Sequence, residues 1–89
     1  MQVLIMYDIG CDKKRRRVEK LLSSHGVRVN YSVFELDVTR SVLDRVVGRL
    51  AELTSKEDNI RVYILNKEVI KRSFVLHSDR GVFDEEFYF

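Results

Sequence analysis

The chain has 89 residues, of which 45% are hydrophobic and 34% charged, and its formal net charge is +2. This length allows one small domain, residues 1–89, and the composition excludes a disordered or fibrous protein. No apolar run approaches the roughly 20 residues of a membrane span, so we expect no membrane contact. One cysteine and the absence of a signal-peptide pattern favour a cytoplasmic protein without a disulfide framework or a zinc site.

The first half of the chain predicts a strand, a helix and two further strands. Residues 2–9 (QVLIMYDI) are almost continuously apolar, which is typical of a central strand covered on both faces. A helix of about 13 residues follows, with Asp12 as its N-cap and Gly26 as its C-terminal stop. Residues 27–31 and 32–38 then read as two short strands joined by a poorly marked turn.

The second half adds a helix and a strand. The helix begins near residues 39–41, ends before Ser55 and carries apolar residues at helical spacing. In the strand that follows, Ile60, Val62 and Ile64 alternate with more polar neighbours. The order βαββαβ predicts an α/β fold of the α+β type, a ferredoxin-like sandwich with both helices on one face of a four-stranded antiparallel sheet.

The opposite face of that sheet requires a cover, because the first strand is apolar on both faces and the helices protect only one. Residues 73–77 (SFVLH) and the aromatic end of the chain supply additional strand-like sequence. We therefore expect a homodimer joined through the sheet faces, in which residues 73–89 form an extra C-terminal strand or tail that packs on the partner subunit.

Five consecutive cations, Lys13 to Arg17, open the first helix. Cations in a first helical turn oppose the helix dipole, each by roughly 0.3 to 1 kcal/mol. One interpretation is a solvated basic face whose arginine stems cover the edge of the core. The other is a site in which helix-end amides and arginine forks bind phosphate.

Asp8 ends the first strand beside this basic turn. It fits a turn-forming or capping residue, and it also fits a ligand of Mg²⁺, which takes one or two carboxylates and completes its shell with water and substrate phosphate. A two-fold axis nearby would supply a second copy of Asp8.

Four segments together resemble the CRISPR-associated protein 2 family: YDI, KKRRRV, GVRVNYSVFE and NIRVYIL. The resemblance implies a ferredoxin-like homodimer that acts in the acquisition of CRISPR spacers. It would bridge dimers of the CRISPR-associated protein 1 integrase and hold duplex DNA. The resemblance also implies a metal-dependent endonuclease that cuts single-stranded RNA or double-stranded DNA and leaves 5′-phosphate and 3′-hydroxyl ends.

The resemblance assigns roles to individual residues. Asp8 is expected to be the catalytic, metal-binding aspartate, paired across the dimer axis, with Mg²⁺ as cofactor and Mn²⁺ as its substitute. Arg15, Arg17 and Arg28 fall on basic positions and are expected to bind phosphate. The supporting positions are Tyr7, Ser32 and Phe34.

Two alternatives to the nuclease stay open. One is a non-catalytic, DNA-binding scaffold that bridges integrase dimers and leaves Asp8 dispensable. The other is a toxin ribonuclease resembling virulence-associated protein D, which shares the fold. An RNA-recognition module has the same element order, but residues 32–38 hold Phe34 as their one aromatic residue, which disfavours it.

Overall fold

The first six strands and helices follow in the order βαββαβ that the sequence predicts. A computed structural model of the protein describes residues 1–83. Within that range the elements are β1 Gln2–Asp8, α1 Asp12–Ser23, β2 Gly26–Asn30, β3 Val33–Asp37, α2 Arg40–Leu53, β4 Asn59–Leu65 and α3 Lys67–Arg72. None of these helices is both long enough and apolar enough to cross a bilayer.

The sheet has the strand order β2-β3-β1-β4, with β1 antiparallel to both β3 and β4 and β2 antiparallel to β3. This is the predicted four-stranded antiparallel arrangement, and the predicted α+β fold class is confirmed. β1 lies in the interior of the sheet, which explains its apolar sequence.

The core lies between the sheet and the helices α1 and α2. Ile5 of β1 is opposite Phe34 of β3 on one side and Val62 of β4 on the other, so these three side chains share the helix-covered face. Burying a large apolar side chain of this kind contributes about 1.5 to 3 kcal/mol. The buried core comprises Val3, Ile5, Tyr7, Ile9, Val18, Leu22, Phe34, Leu36, Leu43, Val46 and Leu50.

Both predicted ends of the first helix differ from the structure. Cys11 occupies the N-cap, and Asp12 is already in the first turn. The helix ends at Ser23, and Gly26 begins β2. A Cβ at Gly26 would lie 2.3 Å from the carbonyl oxygen of Glu35, so glycine is required there for the close approach of β2 to β3.

The second helix begins as predicted. Thr39 is its N-cap, and the Thr39 hydroxyl accepts a hydrogen bond from the Val42 amide at 3.3 Å. This bond satisfies one of the amides that a helix leaves unpaired at its start.

The C-terminal segment differs from the predicted extra strand. The helix α3 is not predicted by the sequence pattern, and Asn66 caps it by accepting from the Val69 amide at 2.8 Å. Residues 73–83 contain no strand, although Val75 makes an isolated bridge. Five apolar-rich residues are too few to separate a strand from irregular chain by periodicity. Residues 84–89, the rest of the predicted tail, lie outside the described residues.

Residues 82 and 83 return to the sheet face that the helices leave open. The Val82 amide donates to Glu35 Oε1 at 3.1 Å, and Phe83 is buried. Glu35 alternates with the core residues Phe34 and Leu36 along β3, so it points away from the helices. The chain therefore covers part of its own open face.

Candidate metal and phosphate site

The end of β1 sends two neighbouring side chains to opposite faces of the sheet. Tyr7 is 5% exposed and points into the helix-covered core, whereas Asp8 is exposed on the open face. This division follows from the two-residue period of a strand. The YDI motif thus contributes two residues, Tyr7 and Ile9, to the core and one residue, Asp8, to the open face.

Tyr7 belongs to a polar network that joins four elements. Its hydroxyl lies 2.8 Å from Glu19 Oε2 of α1 and 3.2 Å from the Tyr31 carbonyl oxygen, and it accepts from Arg28 Nη2 at 3.4 Å. Arg28 also forms an ion pair with Glu19 at 2.6 Å. The guanidinium stands 5.4 Å from the centre of the Phe34 ring, a cation–π distance.

The network fixes the protonation of Tyr7 and Arg28 near neutral pH. Burial raises the pKa of the Tyr7 phenol, the hydrogen bond to Glu19 raises it further, and Arg28 opposes this only in part. The hydrogen bond to Tyr7 raises the pKa of Arg28, so its guanidinium stays charged. Tyr7 therefore stabilises the fold as a protonated phenol and is unsuited to act as a general base.

Asp8 lines a cleft of about 150 Å³ on the open face, together with Met6, Tyr7, Asn59 and Arg61. Asn59 is directly opposite Asp8 in the ladder between β1 and β4. Arg61 Nε donates to Asn59 Oδ1 at 3.3 Å, and Arg61 Nη1 donates to the Tyr63 hydroxyl at 3.3 Å.

Neither Asn59 nor Arg61 is among the site residues predicted from the sequence. The available signal is the alternation in NIRVYIL, which places residues 59, 61 and 63 on one face. Which face that is depends on the pairing of β4 with β1.

The donors around Asp8 suit a hard, strongly hydrated cation. Residues 1–83 contain no group of three or more His, Cys, Asp and Glu side chains that could hold a metal ion. One exposed carboxylate, with the Asn59 amide opposite it, is a set of oxygen donors that leaves most coordination positions to water, phosphate or a second subunit. Mg²⁺ accepts that arrangement, so the residues present fit this ion.

Arg15 is directed back toward the loop that follows Asp8. Its Nη1 donates to the Ile9 carbonyl oxygen at 3.0 Å, and its Nη2 pairs with the carboxylate of Asp12. In this arrangement Arg15 holds the loop between β1 and α1.

Arg17 lies in a groove of about 530 Å³ between α1 and α2, away from Asp8. The groove is lined by two leucines and four polar or basic residues: Leu21, Leu53, Arg17, Lys20, Ser24 and Arg49. This surface, termed the basic groove below, faces solvent on the helical layer. Its charge suits the attraction of a phosphate backbone.

Lys14 is a structural member of the cation run and is not simply part of a solvated basic face. Its Nζ lies 2.8 Å from Asp58 Oδ2 and 2.8 Å from the Ser55 hydroxyl, which tie α1 to the loop before β4. The ion pair lowers the pKa of Asp58 and raises that of Lys14. The Asp58 side chain is only 6% exposed.

The predicted site residues therefore fall into three groups. Tyr7, Arg28 and Phe34 meet on the helix-covered side, Asp8 stands on the open face, and Arg15 and Arg17 project from α1. Ser32 contributes its backbone, since its carbonyl oxygen accepts from the Tyr7 amide at 3.1 Å.

Comparison with known proteins identifies the family. Residues 1–72 match the family described as CRISPR associated protein Cas2. The chain belongs to the Cas2 family. The family match decides against the toxin ribonuclease as the explanation of this sequence.

Similar proteins include one curated relative and two solved structures. The CRISPR-associated endoribonuclease Cas2 2 of Synechocystis is 43% identical over 73% of this chain and 72% of the relative. The crystal structure of Streptococcus pyogenes Cas2 superposes with a TM-score of 0.73 at 35% identity, covering 86% of this chain and all of that one. A chain of a partial Cas6-RT-Cas1–Cas2 complex gives a TM-score of 0.73 at 34% identity, covering 84% and 83%.

Proposed function

We propose that this protein is a metal-dependent endoribonuclease that takes part in CRISPR spacer acquisition as a homodimer. The carrying observation is the position of Asp8, an exposed carboxylate fixed at the end of the central strand, on the sheet face that the helices leave open. A second copy packed on that face would bring a second Asp8 to the same cleft. The endoribonuclease name of the Synechocystis relative supports the reaction.

Asp8 of both subunits would hold Mg²⁺, with Mn²⁺ as a substitute. Bound there, the ion would acidify a coordinated water and offset the charge of a phosphodiester. Other residues of the chain hold Asp8 in position. The ladder between β1 and β4 fixes the Asp8 backbone, and Arg15 fixes the loop after it.

Of the remaining cations, some would attract nucleic acid and others bond to residues within the fold. Arg17, with its neighbours in the basic groove, would attract the nucleic-acid backbone without reading bases, so we expect little sequence preference. Arg28 as a phosphate ligand stays a prediction, because its guanidinium is paired with Glu19 and Tyr7 in this structure. The expected products carry 5′-phosphate and 3′-hydroxyl ends.

The test is cleavage of labelled single-stranded RNA and duplex DNA by wild type and Asp8→Asn, with Mg²⁺, with Mn²⁺ and with EDTA. We expect Asp8→Asn to lower the cleavage rate about a hundredfold or more while circular dichroism stays that of the wild type. Asp44→Asn, which removes an exposed carboxylate on α2, is the matched control and should cleave normally. Equal cleavage by Asp8→Asn and wild type would rule out the catalytic role of Asp8.

A DNA-holding scaffold is the second candidate, and the basic groove favours it. The similarity to a chain of a Cas1–Cas2 complex adds support, with the CRISPR-associated protein 1 integrase as the proposed partner. This role predicts salt-dependent binding of duplex DNA that Asp8→Asn leaves intact. Normal spacer acquisition in a strain carrying Asp8→Asn would favour the scaffold over the nuclease as the cellular role.

A further inference from the structure

A row of three polar side chains lies along β4 beside Asp8. Asn59, Arg61 and Tyr63 are two residues apart, so they share one face of the strand. In the ladder with β1 they lie opposite Asp8, Met6 and Leu4, respectively. The row therefore continues the open face from the Asp8 cleft toward the other end of the sheet.

Arg61 differs from several other arginines in the groups to which its side chain bonds. Its two hydrogen bonds go to neutral acceptors, the Asn59 amide oxygen and the Tyr63 hydroxyl. Among residues 1–83, no carboxylate lies within ion-pair distance of Arg61. The arginines that do pair with carboxylates are Arg15, Arg28, Arg40 and Arg49.

The two bonds orient the guanidinium without neutralising it. They engage Nε and one N–H of Nη1, so both N–H groups of Nη2 are left for another acceptor. A fork that is already held in place loses little side-chain entropy on binding an anion. A planar arrangement of this kind matches the oxygens of a phosphodiester.

The site needs a positively charged side chain beside Asp8. One divalent ion held by two Asp8 carboxylates is already balanced in charge, so the negative charge of a phosphodiester beside them must be offset by a further cation. Arg15 and Arg28 are engaged by Asp12 and Glu19, and Arg17 lies in the basic groove on the helical layer. Arg61 lines the same cleft as Asp8.

The chemistry of the open face gives a second argument. Around Arg61 this face carries Met6 and Leu4, and packing a second copy on it would remove water from the guanidinium. A guanidinium removed from water is strongly unfavourable unless its remaining N–H groups are bonded. Under the proposed function the Asp8 carboxylates would hold the metal, which leaves an arriving phosphate as the anion for Arg61.

We propose that Arg61, oriented by Asn59 and Tyr63, is the phosphate-binding residue of the Asp8 site. This inference rests on the proposed function and names the group that holds the phosphodiester there. Arg61 would contact the substrate directly, while Asn59 and Tyr63 act through Arg61 as positioning residues.

The test measures binding without cleavage, by fluorescence anisotropy of a labelled single-stranded oligoribonucleotide in EDTA over a series of salt concentrations. We expect Arg61→Gln to weaken binding about tenfold and to reduce the slope of log K against log salt by about 0.7. Arg61→Lys should keep the slope but bind less tightly than wild type, because the charge stays and the fork is lost. The matched control, Arg40→Gln, removes the same charge from the exposed start of α2 and should change neither quantity.

Three outcomes would overturn the assignment. The first is equal binding by Arg61→Gln and Arg40→Gln. The second concerns the dimer that wild type forms, measured by light scattering. In this outcome Arg61→Gln does not dimerise, and Arg61→Lys dimerises again but does not recover any affinity for the oligoribonucleotide. The third outcome applies if Arg61→Gln fails to fold. In that case, wild-type affinity for the oligoribonucleotide in both Arg61→Lys and Tyr63→Phe would overturn the assignment.

A different result would remove the proposed function itself. If the wild-type chain does not bind the oligoribonucleotide in EDTA and does not cleave it with Mg²⁺, both the nuclease proposal and the Arg61 assignment fail. If wild type binds and cleaves the oligoribonucleotide and Arg61→Gln binds it equally well, only the Arg61 assignment fails. The two failures are therefore distinguishable.

Discussion

The two faces of the sheet differ in how their polar side chains are bonded. On the helix-covered face, Tyr7, Glu19 and Arg28 bond to one another over the Phe34 ring. On the open face, Asp8 stands exposed, and among residues 1–83 the groups that bond to the Arg61 side chain are neutral. Polar residues that are paired among themselves maintain the fold, whereas those left with spare bonding capacity are the ones available for chemistry.

The physical reason for this contrast is the dielectric environment. A polar group removed from water must find a partner inside the protein, and the helix-covered face supplies one to almost every such group. The exception among the described residues is the buried Nε of Arg28, which has no hydrogen-bond partner there. Substitutions on the helix-covered face should therefore change stability, and substitutions on the open face should change binding or activity.

The largest stability effect is expected at Phe34, which is fully buried beneath Tyr7 and Arg28. Phe34→Ala should lower the free energy of unfolding by about 3 to 5 kcal/mol, measured by urea titration with circular dichroism. Tyr31→Ala, which removes a ring that is 86% exposed, should stay within about 0.5 kcal/mol of wild type. A loss below about 1 kcal/mol in Phe34→Ala would contradict the placement of this ring in the core.

An intermediate effect is expected at Glu19, which accepts from both Tyr7 and Arg28. Glu19→Ala should lower the free energy of unfolding by about 1 to 2 kcal/mol, because it leaves a part-buried phenol and guanidinium without their shared acceptor. The control is Glu52→Ala, since Glu52 forms an exposed pair with Arg49 and should contribute less than about 1 kcal/mol. Equal losses in the two variants would show that the network adds nothing beyond a surface ion pair.

The smallest effect is the pH dependence that the Lys14–Asp58 pair confers. Because Lys14 and the Ser55 amide lower the pKa of Asp58 below its ordinary value of 3.8, the unfolded chain takes up this proton first as the pH falls. The pair therefore stabilises the fold above pH 3.8, and that stability is lost as the pH falls through the folded pKa.

Urea unfolding at a series of pH values from neutral to acid measures this dependence. Asp58→Asn should be less stable than wild type at neutral pH and should lose less stability on acidification. Asp44→Asn, at an exposed pair with Arg40, should follow the wild-type curve. If Asp58→Asn loses stability on acidification as steeply as wild type does, another carboxylate is responsible for the pH dependence of stability.

Local sequence patterns predict much of this fold. The apolar run of β1 and the helical spacing in α1 and α2 depend on few distant contacts, so periodicity identifies them. The helix α3 has only six residues, too few for a periodic signal. Gly26 reads as a helix stop, because its true role depends on the distance between two strands, which sequence does not give.

The candidate site is predictable only in part, because its members meet through tertiary structure. The position of Asp8 follows from the end of an apolar run. The separation of Lys14, Arg15 and Arg17 depends on how α1 is rotated against the sheet and on the approach of the loop that carries Asp58. Arg61 becomes part of the site only through the register between β4 and β1.

The interior position of β1 limits how this cleft can be controlled. β4 pairs with β1 from Gln2 to Asp8, and β3 pairs with it from Gln2 to Met6, so Asp8 cannot advance or withdraw as a loop residue could. Under the proposed function, activity needs two copies of Asp8 and therefore follows the law of mass action for subunits. On dilution below the dimer dissociation constant, specific activity should fall in proportion to the subunit concentration, and the concentration of the protein in the cell would itself act as the switch.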